Sequence, residues 1–238
     1  MAPLLRPDPD SFPVEPPDDT DSAEVIAAHD WAAFSAVEEV TDHWSRPGWA
    51  DGSRAYYWML TFPYHPELSA LALRCQKELA GLGLDPVPAD DGLHITLARV
   101  GSPDDVTPRQ LDALARLAAT VLPTAFSLRA MPLAGSRGAV RLSVAPWRPL
   151  VSLHASLSNA GHALAIATTR PTFAFRPHLS VAYQNARRPA APVIEAVAPL
   201  RSLDDVDIAV TEVRLVELRR SGATYRWDVL HSLPLVTT

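Results

Sequence analysis

Two short runs carry the side chains best suited to chemistry: Gly92-Leu93-His94-Ile95-Thr96-Leu97-Ala98 and Arg176-Pro177-His178-Leu179-Ser180-Val181-Ala182. In each, a His, an apolar residue, a hydroxyl residue and a second apolar residue follow one another after turn-forming residues. Strand side chains alternate between faces, so His94 and Thr96 share one face while Ile95 and Leu97 take the other, and His178 and Ser180 do the same against Leu179 and Val181. Two such strands side by side would line a cleft with two imidazoles and two hydroxyls. Imidazoles titrate near neutral pH, so one can accept a proton while the other gives one, and the hydroxyls can bond the oxygens of a phosphate held between them. A single His on a half-apolar strand is more often a core or surface residue; the duplication in matched context makes this pair a candidate site.

The elements around the runs predict how they are positioned. Ser22 or Asp21 can cap a helix over 21–40, with Val25, Ile26, His29, Ala32, Ala33, Val37 and Val40 at helical spacing. The turn-rich, aromatic stretch His43-Trp44-Ser45-Arg46-Pro47-Gly48-Trp49 follows, and packs at a sheet edge or walls the cleft. In Tyr56-Tyr57-Trp58-Met59-Leu60-Thr61-Phe62, alternation sends Tyr56, Trp58, Leu60 and Phe62 to the core and leaves Tyr57 facing the cleft as a surface for stacking a base. Tyr183, next to the second run, is a second candidate for contact with substrate. Pro66 opens a helix with Leu68, Leu71, Ala72, Cys75 and Leu79 on one stripe, and Thr107 with Gln110 forms a capping box for another. Strands are predicted over 126–131, 139–145, 206–210, 213–218 and 225–230, with helices from Pro149 and around 193–197. His29, His154 and His162 have no partner motif and are read as structural. Strands and helices alternate in two comparable halves, which predicts an α+β fold with two pseudo-symmetric lobes of antiparallel or mixed sheet, helices outside and a central cleft.

Composition narrows the function classes. The 238 residues and 47% hydrophobic content suffice for a sizeable core, and no apolar run approaches the roughly 18 residues needed to span a bilayer. The single Cys75 excludes an internal disulfide framework and any multi-cysteine zinc site. Residues 1–20 are rich in Pro and Asp without periodicity and are expected to form a disordered acidic tail. They lack the basic stretch and apolar core of a secretory signal, so a cytoplasmic, monomeric protein is expected. A net charge of −6 disfavours duplex DNA as a partner. A small nucleotide or an RNA end fits better. Of 21 basic residues one is a lysine, Lys77, so cationic phosphate contacts would come from arginine.

The paired His-x-Thr/Ser-x runs, the aromatic strand before the first, and the closing segment from Leu218 with Tyr225 and Leu233-Pro234-Leu235 resemble the 2H phosphoesterase superfamily, which includes bacterial 2′-5′ RNA ligase-like proteins and cyclic phosphodiesterases. The resemblance begins near Trp44, so 21–51 is set apart as a helix and aromatic loop ahead of a bilobal catalytic domain over 52–238. It implies an enzyme that opens 2′,3′-cyclic phosphates of nucleotides or RNA ends to 2′-phosphates, and can run in reverse as a ligase. His94 and His178 would be the acid and base, with Thr96 and Ser180 on the phosphate. No metal and no cofactor is expected. Two alternatives stay open: a metal-dependent hydrolase, for which Asp90 and Asp91 are the nearest acidic residues, and a module that binds a nucleotide without turnover.

Overall fold

The computed structural model describes residues 5–166 and 170–237. In chain order the elements are α1 (Ala23–Ser35), β1 (Glu39–Val40), β2 (Arg54–Thr61), α2 (Pro66–Leu79), β3 (Asp85–Pro86), β4 (His94–Gly101), α3 (Pro108–Ala119), β5 (Phe126–Gly135), β6 (Ala139–Ala145), α4 (Trp147–Ala163), β7 (Leu179–Tyr183), β8 (Arg188–Pro189), α5 (Ala191–Val197), β9 (Val206–Val210), β10 (Glu212–Ser221) and β11 (Thr224–Pro234). The expected α+β architecture is present. One antiparallel sheet runs β11-β10-β2-β4 and the other β3-β7-β6-β5-β9, while β1 pairs with β8. Outward from the motif strands, β4-β2-β10-β11 and β7-β6-β5-β9 are the same arrangement made twice.

The two halves are not independent lobes. The helix that follows β2 packs against β7 and β9 of the other sheet, and α4, which follows β6, packs against β4. Each sheet is thus covered by a helix from the opposite half of the chain, and the apolar side chains form one cluster running through both. Local signals explain the helix ends. His65 accepts from the Leu68 amide with Pro66 in the first turn of α2, and Thr107 and Gln110 cap each other's backbone at α3.

Two expectations are corrected. The first helix stops at Ser35 and not near Val40, because its docking face is Ile26, Asp30 and Phe34, and the residues beyond Ala36 leave it to reach β1. Asp30 is buried on the sheet, where it accepts from Ser143 Oγ at 2.7 Å and lies 3.8 Å from Arg141, while the Phe34 ring lies so close to Gly135 that a Cβ there would meet it at 2.5 Å.

The second correction concerns the N-terminus. Residues 1–4 lie outside the described residues, but 5–20 are no tail. They form an extended strap without helix or strand that is fixed to the second half of the chain by polar contacts: Arg6 N–H to Phe173 O at 3.1 Å, Ser11 Oγ to Ala174 O at 2.7 Å, and Trp147 N–H to Thr20 O at 2.7 Å. Its main anchor is Arg176, only 3% exposed and without an ion-pair partner among the described residues. All of its nitrogens donate to carbonyls: Nε to Pro13, one terminal nitrogen to Arg6 and Val14, the other to Phe173 and Phe175. Composition misjudged this segment because a buried guanidinium, satisfied by the strap's backbone, adds to the little apolar area that Leu5, Pro13 and Pro17 bury.

A chain that begins at Asp21 should therefore melt well below the full chain, since three of those five hydrogen bonds vanish. Bonds to a charged group are worth about 1.5–3 kcal/mol each, so Arg176→Ala should cost at least that much. Equal thermal melts for the full and truncated chains would contradict the strap's role.

Candidate active site

His94 opens β4 and His178 stands just before β7, and the two strands lie against each other across a cleft of ≈ 730 Å³ that both histidines line with Thr96 and Ser180. The two halves hold their imidazoles alike. His94 Nδ1 is 2.8 Å from the Gly92 carbonyl, and His178 Nδ1 is 2.9 Å from the Arg176 carbonyl, in each case the residue two positions earlier. A carbonyl can only accept, so Nδ1 carries the proton in both rings and the lone pair of a neutral ring sits on Nε2, the nitrogen left for the cleft.

Each motif strand also carries a bulge at the same place. In β4, Thr96 pairs with Met59 but Ala98 with Trp58, which leaves Leu97 unmatched; in β7, Ser180 pairs with Arg141 but Ala182 with Val140, which leaves Val181 unmatched. Simple alternation would next turn Ala98 and Ala182 toward the His and hydroxyl face. The extra residue shifts the register, so Arg99 and Tyr183, each five positions after its histidine, enter the cleft wall. Tyr57, the register partner of Arg99, faces the cleft as expected, and both line it.

The aromatic stretch over 43–49 is a wall of this cleft. His43 stacks on Tyr183 at 4.0 Å between centroids and shares a 2.9 Å hydrogen bond with the Tyr225 hydroxyl. Trp44 and Tyr225 pack edge-on to Tyr183, so that ring is only 4% exposed and has no open face for a ligand. The structure thus places Tyr183 in the cleft wall as a packed ring and not as a face on which a ligand could stack. Trp49 and Tyr57 stand edge to face at 6.4 Å on the same wall, and Trp227 lies edge-on to His94 at 5.3 Å. His43, Arg46, Arg99, Tyr225 and Trp227 were not legible as site residues; only the density of aromatics over 43–49 hinted at a wall. His154 is structural as expected, bonded to Thr172 and stacked on Phe175.

Burial sets the electrostatics. His178 is pushed down to about 3, first by burial and then by the Arg141 guanidinium, against which the Arg176 carbonyl works weakly. His94 is lowered by burial, partly offset by the Gly92 carbonyl, with no guanidinium among the causes. His43 falls to about 2 through burial and then the neighbouring Arg46 charge. In the free protein all three imidazoles are therefore neutral at pH 7. A bound anion would favour the protonated form, and more readily at His94, which has no guanidinium opposing it. Among the described residues no three His, Cys, Asp or Glu side chains come together as a metal-ligand set. Nor is any helix among them long and apolar enough to cross a membrane.

Comparison with known proteins agrees with this geometry. The sequence model of the 2′-5′ RNA ligase superfamily matches residues 62–222. No curated protein matches the chain. Among solved structures, one described as a phosphoesterase superposes with a TM-score of 0.59 at 20% identity, over 77% of this chain and 99% of its own. E. coli LigT in complex with 3′-AMP gives 0.57 at 22% identity, over 78% and 99%, and TT0787 of Thermus thermophilus gives 0.55 at 19%, over 76% and 97%.

The buried neutral imidazoles make stability depend on pH. His43, His178 and His154, at about 2, 3 and 4, lie below the 6.5 of an unfolded histidine, so below pH 6.5 the unfolded chain binds protons that the folded chain refuses. Stability should be constant above neutrality and fall as pH drops from about 7 to about 5, a window above ordinary carboxylate titration. His43→Phe, which keeps the stack and cannot titrate, should flatten the slope of Tm against pH. A melting temperature level across that window would mean that the rings are not held neutral.

Proposed function

The chain belongs to the 2′-5′ RNA ligase superfamily, a group of phosphoesterases, and from that premise we propose a metal-independent phosphodiesterase that opens the 2′,3′-cyclic phosphate of a nucleotide or RNA end to a 2′-phosphate. The observation that carries the reading is the matched pair of imidazoles, each with Nδ1–H given to a carbonyl, each with Nε2 left for one cleft, and each with a hydroxyl two residues on. LigT has been crystallised with 3′-AMP, ATP and NADP+, and a nucleotide is the ligand we propose here.

The reaction is an in-line displacement at phosphorus. His178 Nε2 takes a proton from water as its oxygen bonds phosphorus; the bond from phosphorus to O3′ breaks, and His94 Nε2–H gives its proton to O3′. Thr96 and Ser180 donate to the non-bridging oxygens, whose charge must be held through the transition state. The roles follow from the electrostatics: the ring beside Arg141 is the harder to protonate and serves as base, and the ring without a guanidinium neighbour serves as acid. With the 5′-hydroxyl of another RNA end in the place of water, the same groups would form a 2′-5′ phosphodiester as the bond to O3′ breaks, so ligation is the same displacement with a different nucleophile. Trp49 and Tyr57 form the wall on which a base would stack.

His94→Ala and His178→Ala should each lower turnover of a 2′,3′-cyclic nucleotide on the order of 10²- to 10⁴-fold, the usual size of one acid or base. A substrate with a more acidic leaving group should rescue His94→Ala and leave His178→Ala slow; the opposite rescue would exchange the roles, and full activity in either variant would end the mechanism. The competent free enzyme needs His94 protonated and His178 neutral, so kcat/KM should peak below pH 6.5 and fall on the alkaline side as His94 deprotonates. Turnover should persist in EDTA. Its loss, with recovery on adding a divalent ion, would replace the two-histidine reading with a metal-dependent one.

A further inference from the structure

The cleft continues past the two histidines. Beside His178 and Ser180 it opens into a second chamber of ≈ 610 Å³ on which Arg46, Arg141, Arg170, Arg176 and Arg187 converge, with Arg46, Arg170 and Arg176 standing where chamber and cleft meet and lining both. Part of that charge is already matched. Arg176 is spent on carbonyls, Arg187 bonds Glu39, and Arg141 lies 3.8 Å from Asp30. Arg46 and Arg170 make no ion pair among the described residues; Arg46 donates to the His43 ring at 3.0 Å and Arg170 to the Asp10 carbonyl at 3.2 Å, which leaves most of each fork open. Arg141 is 3% exposed, and its Nε has no hydrogen-bond partner among the described residues. The carboxylates on the chamber are Asp10 and Asp42, and Asp42 is engaged by Ser45 Oγ and the Trp44 amide.

In a chain of net charge −6, the two guanidinium forks of Arg46 and Arg170, left without a carboxylate among the described residues, mark an anion site. One cyclic phosphodiester carries a single negative charge, and the two imidazoles with Thr96 and Ser180 already surround it. The chamber exceeds what that group needs. Its outer wall, from Asp10 and Phe12 of the strap through Thr41 to Arg46, lies before the 62–222 segment that defines the family.

We propose that this chamber is a second phosphate subsite, built by the strap and the 43–49 loop, and that the preferred substrate carries a further phosphate one nucleoside away from the cyclic one. The proposal rests on the central cleft holding a phosphate, as in the function proposed above. Arg46 and Arg170 supply planar forks suited to bidentate bonds with that second phosphate, and the buried Arg141 adds fixed charge behind them.

Binding tests the subsite apart from turnover. Isothermal titration of the full chain with adenosine 2′-monophosphate and with adenosine 2′,5′-bisphosphate should show the bisphosphate tighter on the order of 10- to 100-fold, the worth of about one charge-assisted hydrogen bond. The gap should narrow at high salt. Arg46→Ala and Arg170→Ala, both at exposed positions and so compatible with folding, should each reduce it, and the double variant should remove it. Equal affinity for the two ligands in the unaltered protein, or a preference that survives the double variant, would overturn the subsite. A preserved preference in a protein that opens no cyclic phosphate would support the subsite and overturn the reaction.

Discussion

Everything at this site depends on holding an imidazole with one nitrogen committed and the other free, in a place too dry to keep it charged. The Gly92 and Arg176 carbonyls perform the first task by accepting Nδ1–H, and burial performs the second. Neither would suffice alone. A solvated histidine would titrate near neutrality with either tautomer open to it, while a buried ring without a fixed acceptor would lose both its orientation and the identity of its free nitrogen. The nearly equal geometry of the two rings leaves their surroundings to tell them apart, and the difference is a guanidinium: Arg141 bears on His178 and none bears on His94.

The fold supplies these conditions twice by one device. A one-residue bulge just after each hydroxyl lets a strand present His, hydroxyl and a third side chain to the same face, where strict alternation would have offered an alanine. What enters differs between the halves, Arg99 in one and Tyr183 in the other, so the symmetry is broken at the third position. The exchanged helices α2 and α4 bind the two sheets into one core, which keeps β4 and β7 in register across the cleft. On the His178 side the strap adds a further tie, because the residue whose carbonyl holds that imidazole is the one whose guanidinium holds the strap.

How much of this could be read from the residues follows from the range of the interactions. His94, Thr96, His178 and Ser180 were legible because period two along a strand is local, and the capping box at Thr107 for the same reason. Helix α1 was misjudged at its C-terminal end because its burial is set by Asp30 meeting Ser143 and Arg141, contacts more than a hundred residues distant. The strap was misjudged because Arg176 reads in sequence as an exposed charge, and only the fold shows its donors satisfied by backbone. Tyr183 was placed near the site by its position in the chain, yet its closed ring follows from His43, Trp44 and Tyr225, which arrive from the two ends of the sequence.

Both motif imidazoles should be neutral in the free protein, protonated on Nδ1, with Nε2 bare toward the cleft. Long-range proton–nitrogen correlation spectra of the protein labelled with ¹⁵N-histidine read this directly, with His94→Gln and His178→Gln used for assignment. At pH 7 both rings should be in the Nδ1–H tautomer, with His178 unchanged on acidification to pH 5 and His94 the first to take a proton when adenosine 2′-monophosphate is added. An Nε2–H tautomer at either residue, or a His178 that titrates near 6.5, would contradict it.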